Sequence, residues 1–164
     1  MKTLSRLFVP AALAMAVALP AKAEDMAISQ SVLTLSAAQK VAQGAVDACS
    51  EMGIPVTATV VDRNGLPQAQ LRDTMAPQVS WEISRNKAYT AVQFGANGSD
   101  LEGRSDSPLQ SQELGVAFMA GSVLIQAGGK NYGAVGVSGA PDGMDDEKCA
   151  AAGVEAIQMD LEMM

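Results

Sequence analysis

The stretch Asn131 to Gly153, NYGAVGVSGAPDGMDDEKCAAAG, constrains the fold of this chain more than any other. Its spacing predicts a strand from Tyr132 to Val137, a turn on Gly139 and Gly143, and a helix that opens beneath Asp145, Asp146 and Glu147. Acids at that position suit the positive end of a helix dipole and read as a solvated helix N-terminus. Gly133, Gly136 and Gly139 leave little side chain on one side of the strand, so either a neighbouring helix or a flat ligand packs close there. No Gly-x-Gly and no Gly-Lys-Ser/Thr occurs, which excludes a dinucleotide fingerprint and a P-loop. The acids also lack the twelve-residue frame of a calcium loop.

Residues 1–23 read as a signal peptide. Lys2 and Arg6 precede an apolar run from Leu7 to Leu19, and Ala21-Lys22-Ala23 supplies small residues for cleavage before Glu24. The run is too short for a stable anchor, so the expectation is a periplasmic or secreted protein with no membrane anchor after cleavage. Residues 24–164 then form a single domain with eight Lys and Arg against eighteen Asp and Glu, a net charge of −10. Eight dispersed cations do not build the basic patch that nucleic acid needs.

Ahead of the glycine-rich stretch, the first helix carries Ala38, Val41, Ala42, Ala45, Cys49 and Met52 on one stripe, opened by a capping box of Ser36 and Gln39 and stopped at Gly53. Val56 to Val61 is a β-branched run, Asp62-Arg63-Asn64-Gly65 is a tight turn, and the chain returns through Ala69 to Arg72. Pro67 makes that return strand an edge, or regular only after Gln68. A second helix from Gln78 to Phe94 has the stripe Val79, Ile83, Lys87, Thr90 and Phe94, with a lysine amid apolar residues. Asn97 to Ser107 is a polar loop in which Ser99 and Glu102 cap one short helix. Ser122 to Ala127 and Tyr132 to Ser138 make a second hairpin, and Ala150, Val154, Ile157 and Leu161 line the last helix. Two tight hairpins and these helices predict an α+β domain with one antiparallel sheet.

The chain contains no histidine. That excludes a Ser-His-Asp triad, a histidine zinc site and histidine-ligated haem. Lys87 on its apolar stripe either snorkels, pairs with a carboxylate, or stands desolvated and available to a ligand. Arg72, near the start of the same helix in sequence, is a second cation for one cleft that would hold a carboxylate. Cys49 lies in the first helix's stripe and Cys149 on the flank of the last helix's, so an exported chain is expected to join them as a disulfide, with two separate buried thiols as the alternative.

The order of elements, VVDRNG at 60–65, the segment Ser84 to Phe94 with Lys87-Ala88 and Thr90-Ala91, GAVGVSGA at 133–140 and DEKCAAAG at 146–153 resemble the GlcG/HbpS family of haem-binding-protein-like domains. The likeness spans nearly all of Leu33 to Ile157. It implies a profilin-like fold, assembly into homo-oligomers and, in some members, binding or degradation of haem. The expectation is therefore an exported module for a flat or acidic small-molecule ligand, with haem as the first candidate cofactor and no metal site of its own. Its ligand-binding set is Lys87, Tyr89 and Phe94 on the second helix, Arg72, and Gly136 and Ser138 on the glycine-lined strand. Iron ligation would fall to Tyr89, Tyr132, a methionine or no residue. Two alternatives stand beside it: an enzyme acting on a small oxo or hydroxy acid with Lys87 as base or Schiff-base amine, and a ligand-free accessory or assembly subunit.

Overall fold

The computed structural model describes residues 26–164; the expected leader, residues 1–23, lies outside them. Four helices and four strands follow in the order α1 (Leu35–Glu51), β1 (Thr57–Asp62), β2 (Pro67–Arg72), α2 (Ser80–Phe94), α3 (Gly98–Leu101), β3 (Ser122–Ala127), β4 (Lys130–Ser138) and α4 (Gly143–Glu162). Short 3-10 turns at Glu102–Arg104 and Pro108–Ser111 interrupt the long connection before β3. Both hairpins form as expected, and β1 pairs with β4 to join them into one antiparallel sheet of order β2-β1-β4-β3.

Helices α1 and α4 lie together on one face of the sheet, while α2 covers β1, β4 and β3 on the other. The larger core sits between the sheet and the α1/α4 pair. It gathers Val41, Ala45, Val60, Ile125, Val135, Val137, Val154 and Ile157. Alternation along β1 produces the division: Ala58 and Val60 enter that core, whereas Thr57, Thr59 and Val61 face α2.

Cys49 and Cys149 form a disulfide between α1 and α4, their Cα atoms 5.5 Å apart, and both side chains are fully buried. The bridge closes a loop of 100 residues in sequence separation and ties the first helix to the last.

Four local expectations change. The cap of α1 is Thr34, whose Oγ1 accepts from the Ala37 N–H at 3.2 Å, so the helix begins ahead of the Ser36-Gln39 pair. Helix α3 is capped at Asn97, and Ser99 turns instead to Glu147. The second hairpin turns on Gly128 and Gly129 alone, and Lys130 and Asn131 belong to β4. The three glycines do not share a side of that strand, because a spacing of three on a period of two alternates faces. Only Gly136 lies under α2; a Cβ at Gly133 would instead strike the Val61 carbonyl, and one at Gly139 the Pro55 carbonyl.

Removing the bridge tests its weight. The variant carrying Cys49→Ala and Cys149→Ala is expected to unfold in urea with about 2–5 kcal/mol less stability than the oxidised protein. An unchanged midpoint and slope would show that α1 and α4 are held by packing alone.

Candidate functional site

Helix α2 meets the sheet through small and polar side chains: Ser80, Ser84, Ala88 and Ala91 are all buried. The helical period was foreseen, yet the phase is different, since Val79 is exposed and Ile83 only half-buried. Ser80 Oγ and Ser84 Oγ each hydrogen-bond a threonine of β1, Thr57 and Thr59, at 2.7 Å. The approach is so close that a Cβ at Gly136 would strike the Ser84 carbonyl and stand 2.6 Å from the Ala88 nitrogen. The companion of the glycine-lined strand is thus the helix backbone, and Gly136 has no room for a ligand above it.

Lys87 leaves this interface at the far side of β4. Its ammonium donates to Asp146 Oδ2 at 2.8 Å and to the Val137 carbonyl at 3.0 Å, and only 3% of the residue is exposed. Asp146 Oδ1 accepts from the Ala140 N–H at 3.0 Å. Burial holds the Asp146 carboxyl above the usual carboxylate range, against the pull of the Lys87 ammonium. Next to it, Glu147 accepts from the Ser99 N–H at 2.9 Å, the Ser99 hydroxyl at 2.6 Å and the Gly121 N–H at 2.9 Å. Two of the three acids at the start of α4 are therefore buried acceptors, not solvated ones. Sequence reasoning missed them because a helix N-terminus accounts for acids without any tertiary partner. The one-residue frame that matters is the adjacency of Asp146 and Glu147, which point to α2 and to the 95–121 connection respectively.

The expected ligand set is accordingly dispersed. Lys87, Gly136 and Ser138 are buried at the α2–sheet interface or beside it. Arg72 is exposed at the end of β2 and donates to the Ala76 carbonyl, so it does not share a cleft with Lys87. Phe94 packs edge-on against Phe118, ring centroids 5.0 Å apart, under the Arg104 guanidinium. Tyr89 is half-buried, its ring lying against Gly65 of the β1–β2 turn. The Lys87 amine, locked in an ion pair, does not offer the free base or Schiff-base nitrogen of the enzymatic alternative. Tyr132 is buried in the main core, which removes it as an iron ligand.

Another arrangement takes shape along the margin of α2. Trp81, Arg85 and Tyr89 recur every four residues on the flank of the helix that faces β2. Two contacts fix that orientation: Gln70 Nε2 donates to the Trp81 carbonyl at 2.7 Å, and Gln93 Nε2 to the Asn64 carbonyl at 3.3 Å. The β1–β2 register places Gln70 and Arg72 on the same side of the sheet as α2. This margin, called the ledge below, has Gln70 and Arg72 of β2 on the α2 side of the sheet and Trp81, Arg85 and Tyr89 spaced by four along one flank of α2. Trp81, the single tryptophan, is 42% exposed there, and Arg85 holds an exposed partner, Glu82, at 3.1 Å. The i, i+4, i+8 spacing of two aromatics around an arginine is legible in the sequence, on the opposite side of the helix from the Val79–Phe94 stripe.

A family model for haem-degrading HbpS-like proteins matches residues 33–155. This chain belongs to the HbpS-like family. A double mutant of HbpS from Streptomyces reticuli is 38% identical, with a TM-score of 0.74 over 86% of this chain and 98% of that one. PduOC, solved in complex with haem, is 25% identical, with a TM-score of 0.71 over 77% of this chain and 96% of its own. A 15.0 kDa protein from the dhaT-dhaS intergenic region of Citrobacter freundii is 38% identical over 120 residues, 65% of this chain and 80% of the relative.

In this HbpS-like chain Lys87 is a structural cation. Lys87→Met leaves Asp146 as an uncompensated buried charge and is expected to cost about 3–5 kcal/mol. Of the readings open to Lys87 in the sequence, the pairing with a carboxylate is the one the structure contains. Adding Asp146→Asn should restore part of the loss, so that the double variant is more stable than the sum of the singles requires; additive losses in thermal unfolding would sink the coupling.

Proposed function

We propose that the protein is an exported small-molecule-binding module, and that its ligand is a flat, acidic molecule with haem as the first candidate. The observation that carries this reading is the ledge: an exposed tryptophan and a tyrosine flanked by Arg72 and Arg85 on a protein that is otherwise acidic. An indole face suits a planar ring, and two guanidiniums suit paired carboxylates. Family membership and the haem complex of PduOC support the same ligand class.

The residues present fit haem through its face and its propionates. Arg72 and Arg85 would hold the carboxylates and Trp81 the ring, with the Tyr89 phenol as the oxygen donor at the same place. Bound haem would supply a redox-active iron. The chain's own part is to orient the ring by its anionic edge, which a histidine-free ledge does without a nitrogen ligand. The other concavities are less suited: one of about 330 Å³ is lined by Ser50, Pro55, Asp73 and Met75, and its carboxylate opposes an anion.

Haem added to the mature protein is expected to shift the Soret band and to quench Trp81 fluorescence with the same saturable stoichiometry. Arg72→Ala and Arg85→Ala should each weaken binding roughly tenfold or more, given about 1.5–3 kcal/mol for a hydrogen bond to a charged group. Tyr89→Phe should alter the visible spectrum while leaving most of the affinity. A free-haem spectrum at saturation, or quenching unaffected by both arginine variants, rejects the ledge. N-terminal sequencing of the protein recovered from its native compartment tests export: the chain should begin at Glu24.

A further inference from the structure

Methionine is ordinarily among the residues most often found fully buried. Of the ten in this chain, Met1 and Met15 fall in residues 1–23, and the other eight are all at the surface, between 40% and 93% exposed. The branched aliphatics are divided: Val41, Ile125 and Leu161 are buried, whereas Val79, Ile28 and Leu66 are exposed. Methionine is not divided. Neither apolar cluster of the described residues includes one, as a member or as a side chain packed against it. Met26 precedes α1, Met52 is its C-cap, Met75 lies in the turn after β2 and Met119 shortly before β3. Met144 stands in the first turn of α4, and Met159 and Met163 are on the side of that helix away from Ile157 and Leu161, with Met164 just beyond.

Oxidation of a methionine sulfur turns an apolar side chain into a polar one and disrupts a core that contains it. In this fold the sulfoxide would form only in water. Both cysteines are already joined and buried, so no free thiol competes for an oxidant. We propose that the eight surface methionines are a set of oxidation sites, at which the protein consumes peroxide or hypohalous acid stoichiometrically while its fold and the exposed Trp81 are spared. In each event a thioether sulfur gives an electron pair to one oxygen of hydrogen peroxide. The O–O bond breaks, an S–O bond forms, and the second oxygen leaves as water with both peroxide protons; the sulfur is oxidised by two electrons and the peroxide reduced by two. Hypochlorous acid reacts in the same sense and leaves chloride and a proton. The capacity is one oxygen per methionine, eight for each mature chain. Reactivity follows access to the sulfur, so Met26, Met75 and Met164 should be oxidised ahead of Met52, Met119 and Met144. Trp81 is the group that gains, because it is the single indole and stands 42% exposed without a thiol nearby to draw off the oxidant. The sink is independent of what the ledge binds, and its test uses protein free of haem.

Hypochlorous acid titrated into the mature, bridged protein is expected to add eight oxygens, about 16 mass units each, which peptide mapping assigns to methionine. Circular dichroism and the thermal midpoint should stay close to those of the untreated protein, and Trp81 fluorescence should persist until the eight equivalents are consumed. The variant carrying Met→Leu at all eight positions should fold and lose Trp81 fluorescence from the first equivalents onward. The same set as Met→Gln, polar and of similar length, gives the comparison if the leucines reduce solubility. Unfolding before the eight oxygens are taken up, a methionine that stays unoxidised in the intact fold, or loss of Trp81 fluorescence at the same oxidant ratio in parent and variant would overturn the proposal.

Discussion

Helix α2 sits so near the sheet that Gly136 has no space for a Cβ, and much of the rest follows from that contact. A helix this close cannot carry leucines or phenylalanines on its inner face, so it carries Ser80, Ser84, Ala88 and Ala91. Serine at an interior interface must find partners, and Thr57 and Thr59 of β1 supply them at 2.7 Å. The close approach also fixes where Lys87 emerges. Its ammonium lands beside Gly121, where a Cβ would occupy the same space, and there it meets Asp146 of the last helix. Two polar contacts and one ion pair thus replace the apolar packing that the opposite face uses.

The two layers consequently do different things. On the α1/α4 side, valine, alanine and the disulfide make a core whose strength lies in burial and in chain constraint. On the α2 side, burial of apolar surface is small, and order comes from directional bonds that demand one arrangement. A buried ion pair adds little net stability, because desolvation offsets its attraction; what it gives is position. The pair sets where α4 begins, and Glu147, the next residue, fixes the connection through Ser99 and Gly121. The connection also ends on Thr90, whose hydroxyl accepts the Ala117 N–H at 2.7 Å. Acids of α4 therefore organise a segment that has no regular structure over most of its length.

Local signals in the sequence carried far. The hairpins, the edge character of the proline-bearing strand and the cysteine pair all rest on turn chemistry or helical phase, which a few adjacent residues determine. What escaped was tertiary. Lys87 stood out as misplaced on its stripe, but its partner is 59 residues away, and Asp146 had a complete local explanation as a helix-opening acid. The phase of α2 is not legible because hydrophobic periodicity does not count serine and alanine, the residues that the close approach at Gly136 selects. That same shift of phase leaves Trp81 and Arg85 exposed on a flank of α2, while Arg72 donates to the Ala76 carbonyl and not toward Lys87.

Charge distribution narrows what the ledge can take. Of the eight cations beyond residue 23, Lys87 is neutralised inside by Asp146 and Lys148 is bonded to Asp145 at 2.7 Å. Lys40 lies on α1, Lys130 at the β3–β4 turn, and Arg104 over Phe94. The remaining three are Arg63 in the β1–β2 turn, Arg72 at the end of β2 and Arg85 on α2, the last with its own exposed partner in Glu82. A surface with net charge near −10 repels anions on approach, and the arginines of β2 and α2 are where a carboxylate can come close. Lone carboxylates gain little from such arginines in salt, since an exposed pair contributes only about 0–1 kcal/mol. A ligand gains more when a planar body covers the indole and excludes water from the same guanidiniums, because desolvated charge pairs are stronger than exposed ones. Under the proposed function the ledge would discriminate by the combination of flat apolar area with acidic edge, and small acids without the ring should not compete for it.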